Sequence, residues 1–210
     1  RILNGAHTSM VLGAYLAGQD IVRDCMKDDV IRGYMNQAIY KEIIPTLTLP
    51  EEELMSFAAS VTDRFQNPFI DHALLSISLN STAKWKARVL PSLEGYLEKT
   101  GQVPPCLSAS LAFYLAFYKG IGFVDATFTG DRNGKNQYPI SDDPKVLEFY
   151  DAHKDDSAAD YVHAVLSETS FWGKDLTTLA GLEETVVKNF TFIQEKGCYE
   201  LMKQIVNATE

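Results

Sequence analysis

The stretch from residue 103 to 120, VPPCLSASLAFYLAFYKG, constrains the fold more than any other part of the chain. Its apolar side chains occupy nearly every face of a helix rather than one stripe, and such a helix must be surrounded by other elements. With 210 residues, 46% of them apolar, the chain is long enough for one sizeable core or two small ones. The stretch therefore predicts a central, buried helix in a globular fold.

Helical spacing of apolar residues dominates the rest of the chain as well. Pro50 and the acidic run Glu51–Glu53 mark a helix start, and the Asn67-Pro68 pair should end that helix. Pro91 should kink or break a helix that ends at Gly101. Strand signals are few and no repeat or linker is visible, so the sequence predicts a mainly α domain of about eight to ten helices.

The segment from Ile121 to Asp143 has a different composition, rich in Gly, Asp, Asn and Thr, and it shows no helical period. We interpret it as a long irregular loop with a short hairpin at the Asn133-Gly134 turn. Long loops in compact domains tend to be functional or mobile. The predicted fold class is therefore mainly α and multi-helical, with one long irregular loop.

Net charge and cysteine content exclude several classes of partner. The net charge is −9 and the isoelectric point is about 4.9, whereas nucleic-acid binding requires a basic face. No apolar stretch is long enough to span a bilayer, so neither nucleic acid nor membrane is a predicted partner. Cys25, Cys106 and Cys198 form no zinc-ligand cluster. Their sparse, odd number suits the reducing cytoplasm, and we expect them to be small buried side chains.

Asn4 and His7 lie three residues apart near the start of the chain. On a helix they would share a face, where an amide and an imidazole together could hold a substrate oxygen. The alternative is that Asn4 caps the first helix and His7 is an ordinary polar residue in its first turn. These two residues alone favour the alternative, because caps are common and two-residue motifs are unspecific.

A second group consists of Asn80, Lys84 and Arg88, which recur at four-residue steps. On a helix they form one polar, cationic stripe that excludes Lys86. Two cations one turn apart repel each other unless an anion lies between them, and a substrate carboxylate would serve. The alternative is a solvated helix face whose cations pair with surface carboxylates.

The remaining candidates have plainer interpretations. Arg64, in DRFQNP, falls in a last helical turn, and we interpret it as a buried arginine that bonds loop carbonyls. His72 is interpreted as a core-edge histidine, and His153 and His163 as ordinary helix residues. The sequence contains no HExxH motif, nucleophile elbow or phosphate loop, and no glycine-rich βα turn of the dinucleotide-binding kind.

Taken together, four segments resemble a known family: RILNGAHT, KEIIPTL, VTDRFQNPFIDHALLSISLNSTAKWKARVLP and TGDRNGKNQYPISDD. Their order and separations are similar to those in the C-terminal domain of the polyol-specific long-chain dehydrogenases, which include the mannitol dehydrogenases. The resemblance covers nearly the whole chain and is greatest to members that interconvert tagaturonate and altronate. It implies that residues 1–210 are a helical substrate domain, whose missing N-terminal Rossmann partner binds NAD.

The family's catalytic pattern is Lys-x4-Asn-x2-His, and Asn4 and His7 match its last two positions. The resemblance places the lysine two residues before Arg1, where it would exchange the alcohol proton. Asn4 would donate to the developing alkoxide, and His7 would orient the substrate hydroxyls or the lysine. No metal is needed in this chemistry, and we expect the isolated chain to be inactive.

The resemblance also gives the cationic stripe a role. A sugar acid differs from mannitol by its carboxylate, which we expect Lys84 and Arg88 to hold, with His72 and Asn80 as further substrate-binding residues. Members of the same family that act on fructuronate and mannonate, or on a hexitol phosphate, remain alternatives. A stand-alone helical binding domain without catalysis is the alternative from another class.

Overall fold

The computed structural model of this protein describes residues 1–67, 71–134 and 136–209, and these ranges are mainly α-helical with one small sheet. The α-helices are α1 Ile2–Leu16, α2 Val22–Lys27, α3 Asp29–Gln37, α4 Glu51–Phe65, α5 Leu74–Ile77, α6 Ser81–Arg88, α7 Leu90–Thr100, α8 Pro105–Tyr118, α9 Pro144–Ala152, α10 Ala158–Leu166, α11 Thr169–Trp172, α12 Leu182–Lys196 and α13 Cys198–Asn207. A π-helix, Ala38–Ile43, and the 3₁₀-helices Ile44–Thr46 and Leu176–Thr178 complete the helical part. The predicted mainly α class is confirmed.

Helix α8 lies at the centre of the core, as its composition predicts. Twelve of its 14 residues are buried, and it packs against α1 and α12. Its N-terminus is capped by a residue that is distant in sequence. The buried Glu42 carboxylate accepts hydrogen bonds from the backbone N–H groups of Cys106 and Leu107 at 2.9–3.0 Å. A negative charge is favourable at this end of a helix. Burial nevertheless raises the pKa of Glu42.

Most of the predicted helix boundaries agree with the structure. Helix α4 begins directly after Pro50, and α7 ends at Gly101, which has the left-handed φ of 72°. Pro91 lies in the first turn of α7, so the predicted break falls between α6 and α7. Helix α4 ends at Phe65, and Pro68, the other half of the predicted stop signal, lies outside the described residues. The three cysteines are buried, as expected.

The prediction of one long irregular loop differs from the structure. Within residues 121–143 lie three short antiparallel strands in the order β1-β2-β3: β1 Gly122–Val124, β2 Thr127–Arg132 and β3 Asn136–Pro139. The predicted turn at Asn133-Gly134 is confirmed, with φ of 59° and 70°. The strands escaped prediction because they are only three to six residues long and none of them alternates strictly between buried and exposed residues.

Two glycines allow α1 to approach its neighbours closely. A Cβ atom at Gly13 would lie 2.6 Å from the Phe113 ring of α8 and 2.8 Å from Met202 of α13. At Gly5, a Cβ atom would lie 3.2 Å from the carbonyl oxygen of Arg88, at the end of α6. These contacts hold α1, which carries Asn4 and His7, against both the core and the helix that carries the cationic stripe.

We predict that Gly13→Ala lowers the free energy of unfolding by about 1–3 kcal/mol, because the added methyl group overpacks a tight contact. Gly33→Ala is the matched control: it also lies in a helix, but its Cβ would meet only Val206 at 3.4 Å. This control should leave stability unchanged or raise it by up to about 1 kcal/mol, through helix propensity. Urea unfolding measures both variants, and equal effects would contradict the packing argument.

Candidate active site

Asn4 and His7 lie one turn apart on the same face of α1, which begins at Ile2 with Arg1 as its N-cap residue. Asn4 is the third residue of the helix and is exposed. The alternative interpretation, in which Asn4 caps the helix, is therefore wrong. Its amide makes no hydrogen bond within the described ranges, and it is open to solvent.

His7 forms part of a cavity of about 190 Å³ between α1, α2, α4 and the segment that follows α4. The cavity is lined by Leu3, His7, Val22, Arg64, Phe65 and His72. The imidazole stacks on Phe65 with ring centroids 4.1 Å apart, and the His72 ring lies 6.2 Å away, edge-on. The Nε2 atom of His7 is buried and has no hydrogen-bond partner among the described residues. A buried polar atom of this kind normally has a partner, and a bound ligand would supply one.

The charge state of His7 follows from its surroundings. Burial lowers the pKa of His7 to about 4, with smaller contributions from the nearby His72 and Arg88. The imidazole is therefore neutral at pH 7, with one nitrogen available as a donor and the other as an acceptor. A neutral imidazole positions a substrate hydroxyl by hydrogen bonding and adds no charge to the cavity.

His72 is brought to this cavity by a short tether to α2. Val22 donates its backbone N–H to the His72 carbonyl at 2.9 Å, Leu74 donates to the Asp20 carbonyl at 2.9 Å, and Arg23 pairs with Asp71 at 2.7 Å. The His72 side chain is exposed and faces His7, so it is not the core-edge residue that its apolar neighbours indicate.

The cationic stripe is confirmed for Lys84 and Arg88, which share one face of α6, while Lys86 is exposed on another. Lys84 donates one N–H to the Ile77 carbonyl at 2.7 Å, which leaves two donors of its ammonium group for a ligand. Burial and then the proximity of Arg88 lower the pKa of Lys84. Arg88 forms no ion pair with any described residue, so the alternative of cations paired with surface carboxylates does not hold here.

The start of α6 is anchored to the core through Asp142. Its Oδ2 atom accepts from the Thr82 hydroxyl at 2.9 Å and from the Tyr118 hydroxyl of α8 at 2.6 Å. The Tyr118 oxygen in turn accepts from the backbone N–H of Ser81 at 3.1 Å. This network fixes the position of α6, and with it the two cations.

Asn80 departs from its predicted place on the stripe. It precedes α6 as the N-cap residue, with a left-handed φ of 54°, and its side chain makes no capping bond. Asparagine tolerates this backbone region better than most residues. Its backbone carbonyl accepts a hydrogen bond from the Lys84 N–H at 3.2 Å, and its predicted role in substrate binding stays a prediction.

Sequence reasoning missed two members of the site. Arg64 was predicted to be buried, but it is exposed and lines the His7 cavity, because α4 ends one residue later and its last turn opens to solvent. Phe65 supplies the surface on which His7 stacks. The helical spacing of Leu54, Ala58 and Val61 continues to Phe65, and this signal would have placed its ring against α1.

The described residues hold neither a metal cluster nor a nucleotide fold. No group of three or more His, Cys, Asp or Glu side chains in this part of the chain is arranged to bind a metal ion. Its sheet is antiparallel throughout and lacks the βα turn that holds a dinucleotide phosphate at a helix N-terminus. None of the described helices is long and apolar enough to cross a membrane.

The fold and the sequence together define a C-terminal domain of the polyol dehydrogenase class. The chain belongs to the family described as the mannitol dehydrogenase C-terminal domain, whose sequence model matches residues 1–194. The resemblance seen in the sequence is thereby confirmed.

Individual proteins of known name and one solved structure are also similar to this chain. The altronate oxidoreductases of Yersinia enterocolitica (serotype O:8) and Klebsiella pneumoniae (strain 342) are each 42% identical to this chain, over 93% and 97% of its length. This chain spans only 40% and 41% of the length of those relatives. The structure of Pseudomonas fluorescens mannitol 2-dehydrogenase, a ternary complex with NAD and D-mannitol, superposes with a TM-score of 0.84 over 98% of this chain and 39% of its own. At 20% identity, this last match establishes the fold alone.

We predict that His7 titrates near pH 4 in an NMR titration of the four histidines, whereas an unperturbed histidine titrates near pH 6.5. Because the folded-state pKa lies below the unfolded value, protonation favours unfolding, and stability should fall as the pH drops from about 6.5 to 4. His7→Gln should remove both this resonance and its share of the acid sensitivity. A His7 pKa of 6 or above would contradict the buried, neutral imidazole.

Proposed function

We propose that the full-length protein is an NAD-dependent oxidoreductase that interconverts tagaturonate and altronate by hydride transfer at a secondary alcohol. In this proposal, residues 1–210 form its substrate domain and the enzyme works in the cytoplasm. The observation that supports it is that the Asn4–His7 face of α1 lies next to α6: the α1 backbone meets the Arg88 carbonyl at Gly5, and Arg88 contributes to the lowered pKa of His7. The identity of 42% to altronate oxidoreductases over almost the whole chain supports the choice of substrate.

The alcohol loses a hydride from carbon and a proton from oxygen. When bound, NAD supplies the acceptor for the hydride, and we assign its binding to a nucleotide domain outside these 210 residues. The proton goes to the lysine that the family pattern places two residues before Arg1. The Asn4 amide donates a hydrogen bond to the oxygen as negative charge develops on it, which lowers the barrier most when the donor is already in position.

His7 positions the substrate in this scheme. Its neutral ring, held flat against Phe65, offers Nε2 to a substrate hydroxyl or to the lysine beside it. No metal ion takes part in the proposed step. The isolated domain lacks both the lysine and the hydride acceptor, so the same scheme makes it inactive alone.

The cations select a sugar acid over an uncharged polyol. Lys84 keeps two free donors, and the half-buried Arg88 has no counter-ion among the described residues, so both can bind one carboxylate. Burial, and after it the repulsion by Arg88, lowers the pKa of Lys84, and an anion bound between the two cations would relieve that repulsion. Arg64 adds a positive charge at the cavity, where His72 can donate or accept a hydrogen bond, and Asn80 completes the proposed set of substrate-binding residues.

We predict that Asn4→Ala in the full-length enzyme lowers kcat for altronate oxidation by about 10²–10³-fold, with a small change in KM, since the lost bond strengthens in the transition state. Asn189→Ala, on α12 and away from the cavity lining, is the control and should retain wild-type kcat. NADH formation measures both variants. Unchanged turnover in Asn4→Ala would refute the catalytic role.

We predict that Lys84→Ala raises KM for altronate by about 10–100-fold, which corresponds to one charge-assisted hydrogen bond of about 1.5–3 kcal/mol. For an uncharged polyol, the same variant should change KM by less than about threefold, because no carboxylate is present. Lys86→Ala, on the same helix but off the stripe, should leave both KM values unchanged. Equal effects on the two substrates would rule out the carboxylate role, and a panel with mannonate and a hexitol phosphate separates the related substrates.

A further inference from the structure

A second cavity of about 500 Å³ lies between the start of α1 and the N-terminal half of α4, open to solvent. It is mostly apolar, and the side chains that form it include Arg1, Ile2, Leu47, Leu49, Leu54 and Phe57. We call this surface, with the neighbouring Met55, the 47–57 face. It takes no part in the substrate site described above.

The exposed apolar side chains of this face require an explanation. Leu49 is 60% exposed, Phe57 46% and Met55 36%, all within nine residues of the chain. Single exposed apolar residues are normal, but a contiguous apolar patch around a cavity marks a surface that is covered in the working protein. Burial of a large apolar side chain contributes about 1.5–3 kcal/mol. A domain that covers Leu49 and Phe57, which line the same cavity, would therefore gain several kcal/mol from these two side chains.

The 47–57 face continues directly into the substrate site. Phe57 and Arg64 are seven residues apart on α4, so they lie two turns apart on one side of the helix, about 10 Å along its axis. Arg64 lines the His7 cavity, whereas Phe57 lines the apolar one. A body seated on the apolar cavity would therefore also reach over the mouth of the His7 cavity.

The His7 cavity is small for a complete binding site. Its volume of about 190 Å³ lies below the roughly 300–1,000 Å³ that small-molecule sites usually provide. Another domain that contributed one wall would make the His7 cavity larger and close it to solvent. A domain bound to the 47–57 face would lie where it could supply this wall.

We propose that the 47–57 face is the docking surface for the nucleotide-binding domain of the full-length chain. This proposal rests on the two-domain enzyme of the proposed function. The matched relatives are about two and a half times as long as this chain, and their match is to a C-terminal domain, so the rest of such a protein must pack somewhere upon it. A surface that leads into the substrate site brings a bound nicotinamide to the alcohol carbon.

The rim of the face indicates the chemistry of its partner. Glu51, Glu52 and Glu53 are exposed at the start of α4 and flank the apolar centre, while Arg1 lies at its other side. Apolar centres with charged rims are typical of protein interfaces. We expect the docked domain to present apolar side chains that face Phe57 and Leu49, and basic ones that face the glutamates.

Site-specific thiol labelling of the full-length enzyme tests this docking. Phe57→Cys and Leu49→Cys place a thiol on the face, and Phe123→Cys is the matched control, because Phe123 in β1 is also 46% exposed. The native cysteines Cys25, Cys106 and Cys198 are buried and should react slowly. The labelled peptides are quantified by mass spectrometry, so each position is read separately. Hydroxyl-radical footprinting of Phe57 and Phe123 in the wild-type enzyme gives the same comparison without a substitution.

We expect the thiols at positions 57 and 49 to react at least about tenfold more slowly than the thiol at position 123, independently of enzyme concentration. Equal rates at positions 57 and 123 would overturn the proposal. Protection that disappears on dilution would also overturn it, because the occupant would then be a second copy of the chain. Altronate turnover, measured on the same samples, is a separate readout: its absence with Phe57 protected refutes the proposed function alone, and turnover with Phe57 exposed refutes the docking alone.

Discussion

The close packing of α1 is the constraint on which the rest of the site depends. At Gly13 the helix backbone touches the Phe113 ring, and at Gly5 it meets the end of α6. Side chains at these positions would push α1 outward, and the distances between His7, Phe65 and Arg88 would grow with it. The central helix α8 thus sets the position of the Asn4–His7 face, while α6, anchored through Asp142 and Tyr118, sets the position of the cations.

The electrostatics of the site combine a neutral imidazole with fixed positive charges. Burial keeps His7 uncharged, and the neighbouring cations act in the same direction. The acidic chain thus retains a small positive region, because Arg88 lies near both His7 and Lys84, and Arg64 lines the same cavity as His7. Such a region raises the local concentration of an anionic substrate even when the net charge of the protein is −9.

The sequence predicted elements with strong local signals and missed those that depend on contacts between distant segments. Pro50, Pro91 and Gly101 act through their own backbone geometry, so their positions predicted helix boundaries correctly: two starts and one C-terminus. The apolar composition of α8 predicted its burial for a similarly local reason. The strands of residues 121–143 are too short, and their burial is too irregular, to show a period of two, and an irregular loop was predicted instead.

In the candidate site, too, the sequence predicted what depends on local spacing and missed what depends on contacts between distant segments. Spacing alone placed Asn4 with His7 and Lys84 with Arg88, because both pairs lie on single helices. Only the structure shows that His72 reaches the same cavity, since its position depends on the tether between residues 71–74 and α2. The solvent exposure of Arg64 also depends on surrounding segments, and the expectation that this residue is buried was wrong. Asn80 has a left-handed backbone directly before α6, and its expected role in substrate binding stays a prediction.

The central claim is that Asn4, His7 and the cations of α6 contact one substrate molecule. A crystal structure of the full-length enzyme with NAD and altronate tests it most directly. We expect the reacting oxygen within about 3.2 Å of the Asn4 amide nitrogen and the substrate carboxylate in direct hydrogen-bonding contact with Lys84 or Arg88. A substrate bound away from α1, or one whose carboxylate points away from α6, would contradict the account.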